Sequence, residues 1–280
     1  MTKQYYSLVA GLREYQLDAD NKGFDAPAIV GEVREELSGG DLRHLALFYT
    51  YYDIGNIISL LAGRAQFSAL GNFTREELVQ EMKTPSQLPR FVSDILAAYA
   101  NPDDPEYDEV DRTKAVEKAL FTAYYAECER SKCRFLRDWY TFDRNLRNVT
   151  AAYNARRLGL SVADEVVGAG YVAETMGRSS AADFGLRGEL DYLDRVLAAM
   201  GEEGNLLDKE RQLDLLRWDM ADELTTFDYF NLNKVLAYLA KVNIIYRWVS
   251  LDAQTGREMF QRLMAEMSGE EKLREAEAER

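Results

Sequence analysis

His44 is the sole histidine in 280 residues, so the chain can assemble neither a Ser-His-Asp triad nor the two-histidine HExxH metal helix. It stands in Asp41-Leu42-Arg43-His44-Leu45, early in an expected helix. A boundary ring satisfied by hydrogen bonding or water is the plain reading there, and a group titrating near its usual pKa of about 6.5 is the sharper one. Cys128 and Cys133 are the only cysteines, with four residues between them. That spacing matches neither a CxxC redox pair nor half of a four-ligand zinc site, and reduced structural thiols are expected. Gly168-Ala169-Gly170 lacks the third glycine and the preceding strand of a dinucleotide loop, and no GxxxxGK[ST] occurs. The small-residue run Val167 to Tyr171 is expected to permit close helix approach or a kink.

Two acidic groups invite a magnesium reading, because hard cations prefer carboxylate oxygens that converge in a shaped cavity. Asn101-Pro102-Asp103-Asp104-Pro105-Glu106 lies between prolines, where Asp and Pro serve turn geometry. Asp214, Asp219 and Asp222 do not share one helical face, and charge pairing at i,i+4 accounts for them. Phe48-Tyr49-Thr50-Tyr51-Tyr52 and Tyr124-Tyr125 could form a stacking platform for bases. Without interleaved basic residues they read instead as packing at the core edge, with apolar bodies and wet hydroxyls. No catalytic, cofactor-binding or metal-binding residue is assigned.

Composition narrows the field in the same direction. Hydrophobic residues make up 47% and charged residues 29%, enough for a packed core without disulfides. The 34 Lys and Arg against 48 Asp and Glu give a formal charge of -14, which repels phosphate backbones, so nucleic acid is not an expected partner. Neither a leader-like N-terminus nor a run of about 20 apolar residues is found, and a cytoplasmic location is expected.

The elements that must position any site are helices. Five prolines are present, all before residue 106, which argues against a turn-rich β protein. Helix starts are expected at Asp25 with Pro27, at the capping box Thr74-Arg75-Glu76-Glu77 and more weakly at Ser161, with stops at Gly39-Gly40, Gly71-Asn72 and Gly201 to Gly204. From Asp108 to Leu158 neither Gly nor Pro occurs, and Phe121, Tyr125, Cys128, Phe135, Trp139, Phe142, Leu146, Val149 and Tyr153 recur mostly three or four apart. That is a helical seam. As one rod it would span about 75 Å, so either a bent helix or two helices broken near Asp138 to Asn145 are expected, in an elongated molecule. A second seam runs Leu232, Val235, Leu236, Leu239, Val242, Tyr246 and Val249, with Lys234 and Lys241 on its wet face. Ser161 to Met176 and Leu186 to Met200 read as shorter amphipathic helices, and Leu206 to Phe227 as a longer one.

Polar residues are embedded in both seams: Asp143, Arg144, Asn145, Arg147, Asn148, Asn154, Arg156 and Arg157 in the first, Asn243 and Arg247 in the second. Buried charges need partners, so interhelical salt bridges that fix register are one reading, and a polar surface for another protein is the other. At these residues the chain resembles the C subunit (d in eukaryotes) of V-type and A-type rotary ATPases. Phe142-Asp143-Arg144-Asn145-Leu146 to Arg156-Arg157-Leu158-Gly159-Leu160-Ser161 is similar to that family's recurring Asp-x-x-Asn-Leu helix with its Arg-containing turn. Val235 to Arg247, followed by Thr255-Gly256-Arg257-Glu258-Met259-Phe260, resembles its C-terminal helix pair, and Tyr5 to Arg13 resembles its opening helix. Asn243 stands where that family usually has glutamate, and the chain is shorter than typical members. Those departures fit a divergent bacterial branch of the Bacteroides type.

The resemblance implies an all-α funnel of related helical modules, with possible boundaries at 1–107, 108–200 and 201–268 and a polar tail at 269–280. It implies a non-catalytic central-stalk component without cofactors, placed on the cytoplasmic face of the membrane. The expected partners are the rotor shaft and the ring of membrane proteolipids. Asp143, Asn145, Arg147, Arg156, Arg157, Asn243 and Arg247 are its candidate structural or interface residues. An acidic helical interaction module unrelated to ATPases is the alternative, although no self-similarity at solenoid periods is found. An all-helical magnesium enzyme acting on a diphosphate would need two acidic clusters facing one cavity.

Overall fold

The computed structural model describes residues 3–17, 23–99, 109–202 and 205–251, and they form twelve α-helices with no strand among them. The class is all-α, as the periodicity indicates. The helices are α1 (Tyr6–Gly11), α2 (Ala26–Glu36), α3 (Gly40–Leu61), α4 (Arg75–Lys83), α5 (Arg90–Ala98) and α6 (Glu109–Glu129). They continue with α7 (Arg134–Leu158), α8 (Val162–Glu165), α9 (Tyr171–Arg178), α10 (Leu193–Gly201), α11 (Leu206–Glu223) and α12 (232–251). The acidic stretch 101–106, the segment Thr255 to Phe260 and the tail 269–280 lie outside the described residues.

Local chemistry sets several ends as expected. Asp25 accepts the Ala28 N–H at the start of α2, and Thr74 and Glu77 close a complete capping box on α4. Other boundaries move. The long seam breaks at residues 130–133, ahead of the expected 138–145, because Ser131 supplies a local alternative to the helix ladder. Its N–H turns back to the Cys128 carbonyl at 3.0 Å and its hydroxyl accepts the Cys133 N–H at 3.2 Å. α6 then folds back along α7, so the 75 Å rod is not formed. Gly39 precedes α3 at positive φ instead of stopping α2, which ends at Glu36. α3 ends ten residues before Gly71, at a turn where Gly63 takes positive φ.

Ser161 to Met176 is not one helix. It splits into α8 and α9 around residues 166–170, where Gly168 and Gly170 have φ of +84° and +107°. The kink expected from the small residues is there, and the reason is α7. A Cβ on Gly168 would lie 2.9 Å from Cδ of Arg144. Gly168→Ala combines a left-handed backbone with that contact and is expected to cost about 1–2 kcal/mol, read as a lowered urea midpoint; an unchanged midpoint would remove the close-approach explanation. Likewise 186–192 is a run of turns, and only α10 follows as helix.

α7 organises the body: α6, α8, α9, α10 and α11 all pack against it. One hydrophobic cluster draws on residues from Tyr5 to Val242. Its centre is aromatic. Phe48, Tyr49, Tyr124, Tyr125 and Phe135 are each at most 2% exposed. Tyr51 and Tyr52 are half-buried, but Tyr49, Tyr124 and Tyr125 are not edge residues with wet hydroxyls. Their oxygens bond within the protein: Tyr124 to the Leu47 carbonyl at 3.1 Å, Tyr49 to Asn243 Oδ1 at 3.3 Å and Tyr140 to the Phe48 carbonyl at 2.7 Å. No helix among the described residues is long and apolar enough to cross a membrane.

Candidate functional site

α3, α7, α11 and α12 enclose a cleft of about 670 Å³. Aromatic side chains, chiefly Tyr51, Tyr52, Phe67, Trp139 and Tyr140, form its walls, and Asp143, Glu210, Asp214, Arg217, Asn243 and Arg247 supply its polar lining.

The polar lining is dominated by a single connected chain of charges. Asp214, 1% exposed, sits in the middle of α11 and accepts Arg217 Nη1 at 2.8 Å on Oδ1. Arg247 Nη1 from α12 reaches both of its oxygens, at 3.0 and 2.9 Å, and Trp248 Nε1 donates to Oδ2 at 2.9 Å. Arg217 Nε lies 3.5 Å from Asp143 Oδ1 on α7, whose other oxygen accepts the Tyr125 hydroxyl at 2.8 Å. Arg247 also pairs with Glu210. Burial works against the Arg217 guanidinium, but the Asp143 and Asp214 carboxylates outweigh it and hold its pKa above the ordinary value. Three helices are thus joined through two arginines and three carboxylates.

A second polar set belongs to α3. Asp53, Asn56 and Ser59 are all buried and all turned toward the 64–73 loop that borders the cleft. Asp53 accepts the Asn72 N–H and side-chain amide, each at 2.7 Å; Asn56 brackets the Ser68 backbone at 2.9 and 2.7 Å; Ser59 donates to the Gln66 carbonyl. Gly71 is obligatory here, since a Cβ would stand 2.6 Å from Asp53 Oδ1. Desolvation raises the Asp53 pKa from 3.8 to about 6, against the lowering effect of its hydrogen bonds to Asn72. A carboxyl group that holds its proton more tightly when folded stabilises the fold fully below the unfolded pKa and loses that contribution as pH rises through the folded one. Between pH 4 and 7 the wild type should therefore lose about 2 kcal/mol relative to Asp53→Asn, the steepest loss falling between the unfolded and the folded pKa. Parallel stability profiles of the two proteins would refute the assignment.

The residues singled out from the sequence separate in space. Asp143 and Arg247 meet in the charge chain, and Asn243 lies beside it. Arg147 pairs with Glu117 at 2.8 Å and stacks over Phe121; Arg156 donates to the Ser179 and Ala181 carbonyls and stacks over Phe184. Those two arginines fasten α7 to its neighbours and make no direct ion pair within the charge chain. Arg157 is exposed, and Asn145 is buried with its Oδ1 the one buried side-chain polar atom lacking a partner among the described residues. His44 Nδ1 lies 3.2 Å from the Ser131 hydroxyl, and burial lowers its pKa. Both cysteines are free and buried. Lys241, expected on a wet face, instead pairs with Asp222 and lies over Trp218.

Sequence reasoning missed Asp214, Arg217 and Glu210. Asp219 and Asp222 do form exposed pairs, with Arg195 and Lys241, but Asp214 does not belong with them. The signal was present: Glu210, Leu213, Asp214, Arg217 and Ala221 fall on one face of α11, so the charges share the face of buried apolar residues. No group of side chains among the described residues is arranged to hold a metal ion.

A family model described as "Protein of unknown function (DUF2764)" matches residues 1–271. The chain belongs to this family. No curated protein and no solved structure matches it. The DUF2764 match takes in every helix that lines the cleft.

Proposed function

We propose that this DUF2764 chain is a non-catalytic central-stalk component of a V/A-type rotary ATPase, joining the rotor shaft to the membrane proteolipid ring. The observation that carries the reading is mechanical. The two segments that hold the resemblance, α7 and α12, are cross-braced through α11 by the Asp143-Arg217-Asp214-Arg247 chain. Such a brace resists sliding of one helix along another, which is what a part that transmits torque requires.

The exposed apolar side chains support the same reading. Phe227 and Tyr229 are 87% and 66% exposed beside the start of α7, where Asp228 pairs with Arg134. Leu158 and Leu160 are exposed at its other end, 71% and 53%. A helix of 25 residues separates the two groups by about 37 Å. Two apolar patches at opposite ends of a braced body suit a link between two partners. In this role the molecule is peripheral to the cytoplasmic face, held there by protein contacts.

The test is affinity purification of the tagged chain from mildly solubilised membranes of its own organism, followed by mass spectrometry. Recovery of the catalytic head, the shaft and the proteolipids together is the expected result. Recovery with unrelated soluble proteins, while the rotary ATPase assembles normally without the chain, would instead favour an acidic helical interaction module. The same exposed Phe227 and Tyr229 would serve that second reading.

A further inference from the structure

The cleft between α3, α7, α11 and α12 carries one acidic group more than its own arginines neutralise. Asp214 accepts Arg217 Nη1 at 2.8 Å and Arg247 Nη1 at 2.9 and 3.0 Å, and Glu210 pairs with Arg247, so two guanidinium groups are matched by two carboxylates. Asp143 is the third carboxylate of the lining. It is 7% exposed, and its Oδ2 accepts the Tyr125 hydroxyl. Its Oδ1 faces Arg217 Nε at 3.5 Å, beyond the about 2.9 Å of a charge-assisted hydrogen bond. A carboxylate buried in this way gains from a closer cation.

The walls beside it suit one. Tyr51 meets Tyr52 at 5.5 Å and 77°, which makes a corner, and stacks with Tyr140 at 6.1 Å and 26°; Trp139 lines the same cleft. Aromatic faces attract cations through their quadrupole. Arginines of the protein lie over Phe67 and Trp248, but among the described residues no cation lies over Tyr51, Tyr52, Trp139 or Tyr140. The cleft volume of about 670 Å³ falls within the range of small-molecule sites, which combine apolar walls with a few placed polar groups.

We propose that this cleft binds a small organic monoammonium ion, a protonated amine on an apolar or aromatic body, which donates to Asp143 Oδ1 and lies against Tyr51, Tyr52, Trp139 and Tyr140. One positive charge matches the one excess carboxylate. An anion is disfavoured, because Arg217 and Arg247 already hold carboxylates and Asp143 would repel another. The Asp214 brace stays in place, and this inference does not depend on the stalk reading.

The probe is phenethylammonium, titrated calorimetrically into the full-length chain beside its neutral isostere 2-phenylethanol and the anion 3-phenylpropionate. The ammonium is expected to bind with a Kd on the order of 1 mM, as befits so small a ligand. The alcohol should bind roughly 10- to 100-fold more weakly, since it lacks the charge-assisted bond. In the ¹⁵N-labelled protein the indole resonance of Trp139 should shift on saturation, while that of Trp218, under Lys241 and outside the cleft, stays. Asp143→Asn should weaken the ammonium by the same factor as the change to the alcohol, and Asp219→Ala should leave its binding unchanged. The comparison of the three probes uses the unaltered chain, so it decides the matter whether or not Asp143→Asn folds. Equal binding of ammonium and alcohol, tighter binding of the carboxylate, no ammonium binding up to about 10 mM, or saturation without a shift at Trp139 would each overturn the proposal.

Discussion

Asp214→Ala should lower the stability of the protein by about 3–5 kcal/mol, because it strands Arg217 in the interior without one of its two carboxylates. Arg217 is hemmed in by α7 and α12, with its side chain 21% exposed, so little water can replace what is lost. Arg247 is 39% exposed and keeps Glu210, so it contributes the smaller share. For a chain of this size the change corresponds to roughly 6–20 °C in the unfolding midpoint. Asp219→Ala, on the same helix, removes only an exposed pair with Arg195 and should change stability by about 1 kcal/mol or less. Thermal unfolding of the two variants side by side checks the claim, and equal effects would mean that the charge chain braces nothing. Replacing Asp143, Asp214 and Arg217 together by neutral residues should recover part of the loss, since no uncompensated charge then stays buried between α7 and α11.

Asn148→Ala is expected to cost about 2–5 kcal/mol, since two buried backbone groups lose their partner at once. Asn148 is fully buried; its Nδ2 donates to the Val167 carbonyl at 2.8 Å and its Oδ1 accepts the Val167 N–H at 2.8 Å. Those two bonds replace the helical ones that Val167 forgoes between α8 and α9. Asn148→Asp keeps the size and the acceptor but removes the donor, leaving the Val167 carbonyl facing a carboxylate. It should be no more stable than Asn148→Ala. Hydrogen exchange at Val167 separates this account from a general loss of packing: the Val167 amide should exchange faster in Asn148→Ala before α7 itself opens. Simultaneous loss of protection throughout α7 would argue that Asn148 acts only through the core.

The same residue shows where reading the sequence reaches its limit. Asn148 is visible as a polar residue on an apolar face, one among several in the first seam, but its partner is a backbone segment nineteen positions away that adopts no regular structure. Spacing within a helix cannot point to such a partner. Asp53, Asn56 and Ser59 were more legible: polar residues at three-residue steps inside an apolar helix mark a buried stripe that must bond to something. That it is the 66–72 loop follows only from where the chain returns after Gly63.

Sequence alone determined the all-helical class, the seams that became α6 with α7 and α12, the caps of α2 and α4 and the lack of the residues that histidine triads and phosphate loops require, because these depend on residue types and on contacts within a few positions. The break at 166–170 was decided by competition between the helix ladder and a specific tertiary partner, Asn148 for Val167, whereas the break at 130–133 follows from the local bonds of Ser131 to Cys128 and Cys133. The charge chain was decided by tertiary structure as well. Asp143, Asp214 and Arg247 are far apart in sequence, and only the packing of α7, α11 and α12 brings their charges into one buried site where each must be paired.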